Sequence, residues 1–248
     1  MAKKFAPQQP KEIDYQEIAE AIVRMAPTYR APYVSIIGFS EALLEGLSGK
    51  LSSAQASDVE SVRVSGWQAL GHLNDILDVM LLISGEIKYE SHLLDLNQLL
   101  SDIVRDIERT RLEANQSLKL SLPEKALHIK GDELRLRQAI LGLVGNSMVS
   151  ASGAPIFLQA SQEGEDVRIA IRDGCKVANE DDLSYFFEPG WMSKLENNRW
   201  RQMQWQSYLA HHFVRAHGGK IWAEMAEEDG EMPTGTQVTL TIPIAQES

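Results

Sequence analysis

The sequence predicts an α+β chain in two parts: an N-terminal antiparallel helical hairpin that forms a dimeric four-helix bundle, then a two-layer α/β sandwich. Three observations predict this. Apolar residues recur at helical spacing on both sides of a short turn rich in glycine and serine, LSGKLSS at residues 47–53. Beyond residue 95, helical stretches are interleaved with short alternating segments closed by turn residues. Their order gives helices packed on a mixed, mostly antiparallel sheet.

In the first part, Ile18, Ile22, Met25 and Tyr29 keep a helical period that Tyr33, Ile36, Ile37, Leu43 and Leu44 continue. Pro27 and Pro32 each remove a backbone donor and crowd the preceding turn, so a kink or break is expected between them. After the turn and its capping serines, Val59, Val62, Ala69, Leu70, Leu73, Ile76, Leu77 and Met80 mark one face of a second helix. Two long helices on a short loop make an antiparallel hairpin. With so much apolar surface, the hairpin is expected to pair with a copy of itself.

Residues 1–12 read as a flexible polar tail, 13–83 as the hairpin, 84–94 (SGEIKYESH and the two residues after it) as a linker, and 95–248 as the second domain. That domain opens with an amphipathic helix over 95–115, followed by short strands at 118–122 and 127–130. Asp132 is placed to cap a helix over 133–150. Strands at 156–162 and 166–172 form a hairpin around Gly164. A helix over 209–219 ends in glycines, and strands follow at 220–227 and 236–244.

Bulk properties narrow the function. The chain has 248 residues and a net charge of −11, which repels phosphate backbones and argues against nucleic-acid binding. Its single cysteine, Cys175, forms no internal disulfide. No apolar run approaches the ~20 residues needed to cross a bilayer, and residues 1–10 lack a signal-peptide core. A cytoplasmic protein without membrane insertion is expected. The histidines show no metal-ligand partnership with cysteine or acidic residues, and adjacent His211 and His212 point in different directions on a helix, so no metal site is expected.

Several stretches resemble two-component sensor histidine kinases. Residues 25–46 (MAPTYRAPYVSIIGFSEALLEG) resemble the first helix of the family's dimerisation and phosphotransfer hairpin, with Arg30, Pro32, Ser35 to Phe39, Glu41 and Leu43 to Gly46 in register. Residues 65–78 resemble its second helix. GDELRLRQAILGLVGNSMVSASG at 131–153 resembles the asparagine-bearing helix of the ATP-binding domain, a sandwich of the GHKL type, and YFFEPG at 185–190 its F-box. The resemblance implies a histidine-kinase architecture and, at each motif, a functional residue to compare.

Those comparisons point to degeneracy. The phospho-accepting histidine aligns with Pro27, which has no nucleophilic atom. The resemblance gives Asn146 the metal-coordinating place, but Gly142 and Val149 stand where a second asparagine and a lysine are usual. Asp173 stands at the adenine-reading aspartate, but both glycines of its turn are replaced, by Cys175 and Val177. The glycine-rich segment beneath the triphosphate falls on Gln202-Met203-Gln204-Trp205-Gln206-Ser207, with no glycine left. Such a segment serves by bringing bare backbone amides to phosphate oxygens, so long side chains there imply a filled or closed pocket.

The resemblance therefore implies a pseudo-histidine kinase with no catalytic residue and no cofactor expected, Asn146 and Asp173 being vestigial. Its partners would be a second copy and a response-regulator receiver domain or an authentic histidine kinase. Tyr29, Arg30 and Tyr33, beside the missing histidine, are the partner-binding candidates. The alternative is weak Mg-ATP binding through Asn146 and Asp173, with phosphotransfer through another residue such as His72, whose bland reading is a partly buried histidine in a helix interface. Trp191, Trp200 and Trp205 either fill the vacated cleft or present a protein-binding patch.

Overall fold

The computed structural model describes residues 14–110, 117–151, 154–174, 183, 185–188, 204–230, 232 and 234–245. The chain divides into two compact units, residues 1–87 and 88–248.

The first unit holds α1 (Tyr15–Arg24), α2 (Ala26–Leu44) and α3 (Ser53–Ser84). The Asp14 carboxylate caps α1 by accepting from the Gln16 and Glu17 N–H groups. Ser52 and Gln55 cap α3 reciprocally, and Gly85, at φ +72°, ends it. The hairpin closes around Ile37, Leu70 and Leu77. Gly66 lets the helices approach, since a Cβ there would lie 3.0 Å from Ile37 Cγ1.

The helix interruption falls at Met25, upstream of both prolines rather than between them. Pro27 thereby becomes the second residue of α2. There its missing N–H is one of the first-turn donors that have no intrahelical acceptor in any helix. Pro32 stays inside α2. Met25 keeps right-handed helical angles, so the apolar stripe runs on across the junction with little change of phase.

The second unit runs β1 (His92–Asp95), α4 (Leu96–Thr110), β2 (Leu118–Ser121), β3 (His128–Gly131), α5 (Glu133–Ser150), β4 (Ile156–Glu163), β5 (Asp166–Arg172), α6 (Gln204–Ala216), β6 (Lys220–Ala226) and β7 (Gly235–Pro243). β1 and β3 form a small antiparallel ribbon; the main sheet has the order β2-β4-β5-β7-β6. Its β2–β4 pair is parallel, and the other three pairs are antiparallel. Alternation along the strands sends Leu158, Ile169, Ile171, Leu240 and Ile242 into a core completed by Leu100, Ile103 and Ile107 of α4, Ile140 and Leu143 of α5, and Phe213 of α6.

Three expected boundaries move. Residues 92–94 of the linker already belong to β1, paired with β3. α4 ends at Thr110, and 111–116 lie outside the described residues. α6 starts at Gln204, five residues before the expected 209, which changes the candidate site.

Asp132 and His217 tie this unit together. The Asp132 carboxylate caps α5 through the Arg135 N–H at 3.1 Å and accepts from the Glu90 N–H at 2.9 Å. His217 Nδ1 lies 2.6 Å from the Phe213 carbonyl oxygen, and its Nε2 accepts from the Asp132 N–H at 2.8 Å. The imidazole is therefore a neutral Nδ1–H tautomer bridging α6 to the start of α5. Tyr89 packs edge-on against both His217 and Phe213. Burial pushes the Asp132 carboxyl pKa up. The Glu90 and Arg135 N–H donors, with the nearby Arg135 charge, outweigh it and hold the group below its ordinary value.

A lowered carboxyl pKa gives stability that is present above the unfolded value of about 3.9 and lost as pH falls through the folded one. Asp132→Asn keeps a capping oxygen but no charge. It is expected to flatten the acid limb of a plot of urea midpoint against pH while leaving the midpoint at pH 7 lower by no more than about 2 kcal/mol of stability.

Candidate functional site

The residues singled out for nucleotide chemistry converge where α5 meets α6. Asn146 and Ser207 are both buried, and Asn146 Nδ2 donates to Ser207 Oγ at 2.9 Å. One turn earlier, Gly142 faces Gln206: a Cβ at 142 would stand 3.0 Å from Gln206 Cβ, 3.4 Å from its Cγ and 3.6 Å from its Cδ. Gly142 is thus a close helix contact, which offsets the roughly 1 kcal/mol that glycine costs in a helix interior relative to alanine.

At the other end of α5, Ser150 Oγ lies 3.1 Å from Asp173 Oδ2 and 2.9 Å from the Asn146 carbonyl oxygen, so its one proton serves one acceptor at a time. Asp173 is only 4% exposed, and its N–H donates to the Thr236 carbonyl at 3.1 Å. Gly235 crosses so close that a Cβ there would overlap the Asp173 carbonyl oxygen. Asp173 is a structural tie between α5, β5 and β7. Cys175 and Val177, which replace the glycines of its turn, lie outside the described residues.

The fit of a magnesium-bound nucleotide follows from these contacts. In its favour, Asn146 Oδ1 is buried and has no hydrogen-bond partner among the described residues. Against it, the other end of that amide is taken by Ser207, and the expected phosphate-binding residues 204–207 form the first turn of α6, with Gln206 laid on α5. Among the described residues no three His, Cys, Asp or Glu side chains gather as a metal site. Among the described residues, α6 thus covers Gly142 and takes the Asn146 amide nitrogen, while Asn146 Oδ1 stays without a partner. Trp205 is half-buried at the start of α6, while Trp191, Trp200, Gln202 and Met203 lie outside the described residues.

Sequence spacing did not reveal the surroundings of His211 and His212. The His211 ring lies 5.8 Å from Phe187 and the His212 ring 4.4 Å from Tyr208. Burial lowers both imidazole pKa values, and for His211 the neighbouring His212 and Arg215 lower it further. The folded state thus favours the neutral rings, so their contribution is full above the ordinary histidine pKa of about 6.5 and lost as pH falls through the lowered values. A His211→Phe, His212→Phe double variant is expected to reduce the fall in unfolding free energy between about pH 7 and pH 5, read from urea midpoints.

The hairpin has two distinct flanks. On one, Tyr33, Ile36, Val62, Ser65, Gly66 and Ala69 line an apolar groove of about 380 Å³. Exposed Tyr15, Ile18, Met25 and Tyr29 extend this stripe on α1 and α2, and Ile76 and Ile83 extend it on α3 at seven-residue spacing from Val62 and Ala69. The other flank is marked by Arg30 Nε donating to Asn74 Oδ1 at 2.8 Å and by Arg63 lying 4.0 Å from Glu41. Val34 lies four residues after Arg30 and Trp67 four after Arg63, which puts both on this second flank. They are 57% and 51% exposed.

The partner-binding candidates therefore separate. Tyr29 and Tyr33 belong to the apolar stripe, whereas Arg30 bridges α2 to α3 on the opposite flank. His72 is exposed on α3 in the single chain, off the α2-facing side that holds Leu70 and Leu77. Pro27 is exposed in the first turn of α2.

Comparison with known proteins agrees with this fold. Residues 131–246 match the family described as histidine kinase-, DNA gyrase B-, and HSP90-like ATPase. The chain is 23% identical over 227 residues to histidine protein kinase DivJ of Caulobacter vibrioides, covering 91% of this chain and 37% of DivJ. It is 25% identical over 217 residues to circadian input-output histidine kinase CikA of Synechococcus elongatus, covering 85% and 28%. Full-length ShkA, solved in complex with AMPPNP, superposes with a TM-score of 0.70 over 93% of this chain and 47% of that one, at 22% identity. The nucleotide-free catalytic domain of histidine kinase ThkA gives 0.52 over 62% and 97%.

Residues 131–246 form a histidine-kinase-like ATPase domain, and the chain as a whole is similar to two-component sensor histidine kinases. It spans 37% and 28% of the length of the first two relatives. Among the described residues no helix is long and apolar enough to cross a membrane.

Proposed function

We propose that this chain is a catalytically degenerate histidine-kinase-like protein that acts in the cytoplasm as a dimeric signalling scaffold or regulator. One observation carries the reading: Gln206 and Ser207 of α6 lie on Gly142 and Asn146 of α5, where phosphate would need open backbone. Pro27 at the acceptor position supports the same conclusion from the other unit.

The apolar flank of the hairpin, from Tyr15 to Ile36 and from Val62 to Ile83, is the self-association face. Its seven-residue repeat suits a four-helix bundle of two copies. The opposite flank, with Trp67 and Val34 between the Arg30–Asn74 and Arg63–Glu41 pairs, is the face we assign to a receiver domain or to an authentic histidine kinase. A half-exposed tryptophan framed by charged residues suits an interface anchor.

With labelled ATP and magnesium, the purified chain is expected to acquire no acid-labile phosphate, and titration calorimetry is expected to give no dissociation constant below about 100 µM. Ile36→Glu and Val62→Glu are each expected to shift the chain to monomer in sedimentation while Trp67→Ala leaves the dimer intact. A wild-type chain that sediments as a monomer would remove the scaffold reading as stated.

Two observations favour a second reading, weak Mg-ATP binding with a displaced acceptor: Asn146 Oδ1 has no hydrogen-bond partner among the described residues, and His72 offers an exposed imidazole. Label that appears in the wild type and disappears in His72→Ala would establish it.

A further inference from the structure

We infer that α5 and α6 are joined by a clasp built into the chain that takes the place of a bound nucleotide, so that the second unit holds its arrangement at any ATP concentration and the protein's output is not gated by ATP. This rests on the degenerate reading above and extends it from a missing activity to a mode of regulation.

The clasp has three contacts. Gly142 on α5 has given up its side chain where Gln206 on α6 lies closest, with a Cβ at 142 only 3.0 Å from Gln206 Cβ. Asn146, one turn further along α5, donates to Ser207, the residue after Gln206, at 2.9 Å. Ser150, a turn beyond, reaches the Asp173 carboxylate at 3.1 Å, and the Asp173 N–H is bonded to the Thr236 carbonyl. Three successive turns of α5 are thus tied to α6 or to the sheet.

Residue volume shows that the first contact is an exchange and not a simple loss. Glycine is unfavourable in a helix interior, so position 142 runs against local propensity. What compensates it is the approach of Gln206, whose first side-chain carbons occupy the space a larger residue at 142 would need. The second contact satisfies half of a buried amide that would otherwise be left without a partner on either end, and an unsatisfied buried polar group is costly. Each contact makes the neighbouring helix part of the site's own filling. A ligand that binds only the folded state shifts its stability in proportion to the logarithm of its concentration. A site filled by its own side chains gives no such dependence.

The test is a double-mutant cycle on the full-length chain, read by thermal unfolding with and without Mg-ATP on the order of fifty times a 100 µM dissociation constant. Alanine for glycine in a helix ordinarily stabilises. Here Gly142→Ala is expected to lower Tm by about 3 °C in the wild-type background and to raise it in a Gln206→Gly background, because the added methyl then meets open space. Should Gly142→Ala alone not fold, recovery of folding in the Gly142→Ala, Gln206→Gly chain carries the same result.

Amide exchange in the first two turns of α6 is expected to quicken in Ser207→Ala and to be unmoved by Mg-ATP in the wild type. Equal effects of Gly142→Ala in both backgrounds would overturn the clasp while leaving the degenerate reading in place. A rise in wild-type Tm with Mg-ATP would overturn both, since the site would then still take its ligand.

Discussion

The second unit depends on how closely α5 can approach α6. Residue 142 has no side chain, so Gln206 lies flat against α5 there, and that approach brings Ser207 to Asn146. With the helices so placed, the amide that could present an oxygen to a cation has its nitrogen committed to a neighbour. The same economy appears at the far end of α5, where Asp173 receives the Ser150 hydroxyl and its backbone meets β7. Burial makes these pairings consequential, because a hydrogen bond lost in a dry site is not replaced by water.

His217 and Asp132 serve the opposite end of the same helix pair. A neutral imidazole spans from the last turn of α6 to the first of α5, and the Asp132 carboxylate also holds the Glu90 N–H in the segment that leads into β1. Gly131 permits it, since a Cβ there would lie 2.6 Å from the ring. α6 is thereby secured to α5 at both of its ends, and the far end of α5 is tied to the sheet.

The hairpin expresses another division of labour. Placing the helix junction at Met25 lets Pro27 sit where its missing donor is harmless, so the proline leaves helical order intact. The apolar stripe then runs unbroken along one flank, and the polar bridges and Trp67 occupy the other.

The sequence by itself determined the element order, the caps at Asp132 and Ser52, the turn at Gly164 and the absence of a nucleophile at 27, because each is written in local periodicity or in one residue's chemistry. It also marked positions 142 and 206 as departures from a familiar pattern, but separately. Only the tertiary structure joined them into one contact, moved the start of α6 back to Gln204, turned Asp173 into a tie between α5 and the sheet, and put Arg30 and Tyr33 on opposite flanks of the hairpin. The physical reason is that volume, burial and hydrogen-bond satisfaction are properties of pairs of residues distant in the chain, and periodicity along one segment carries no information about what another segment brings against it.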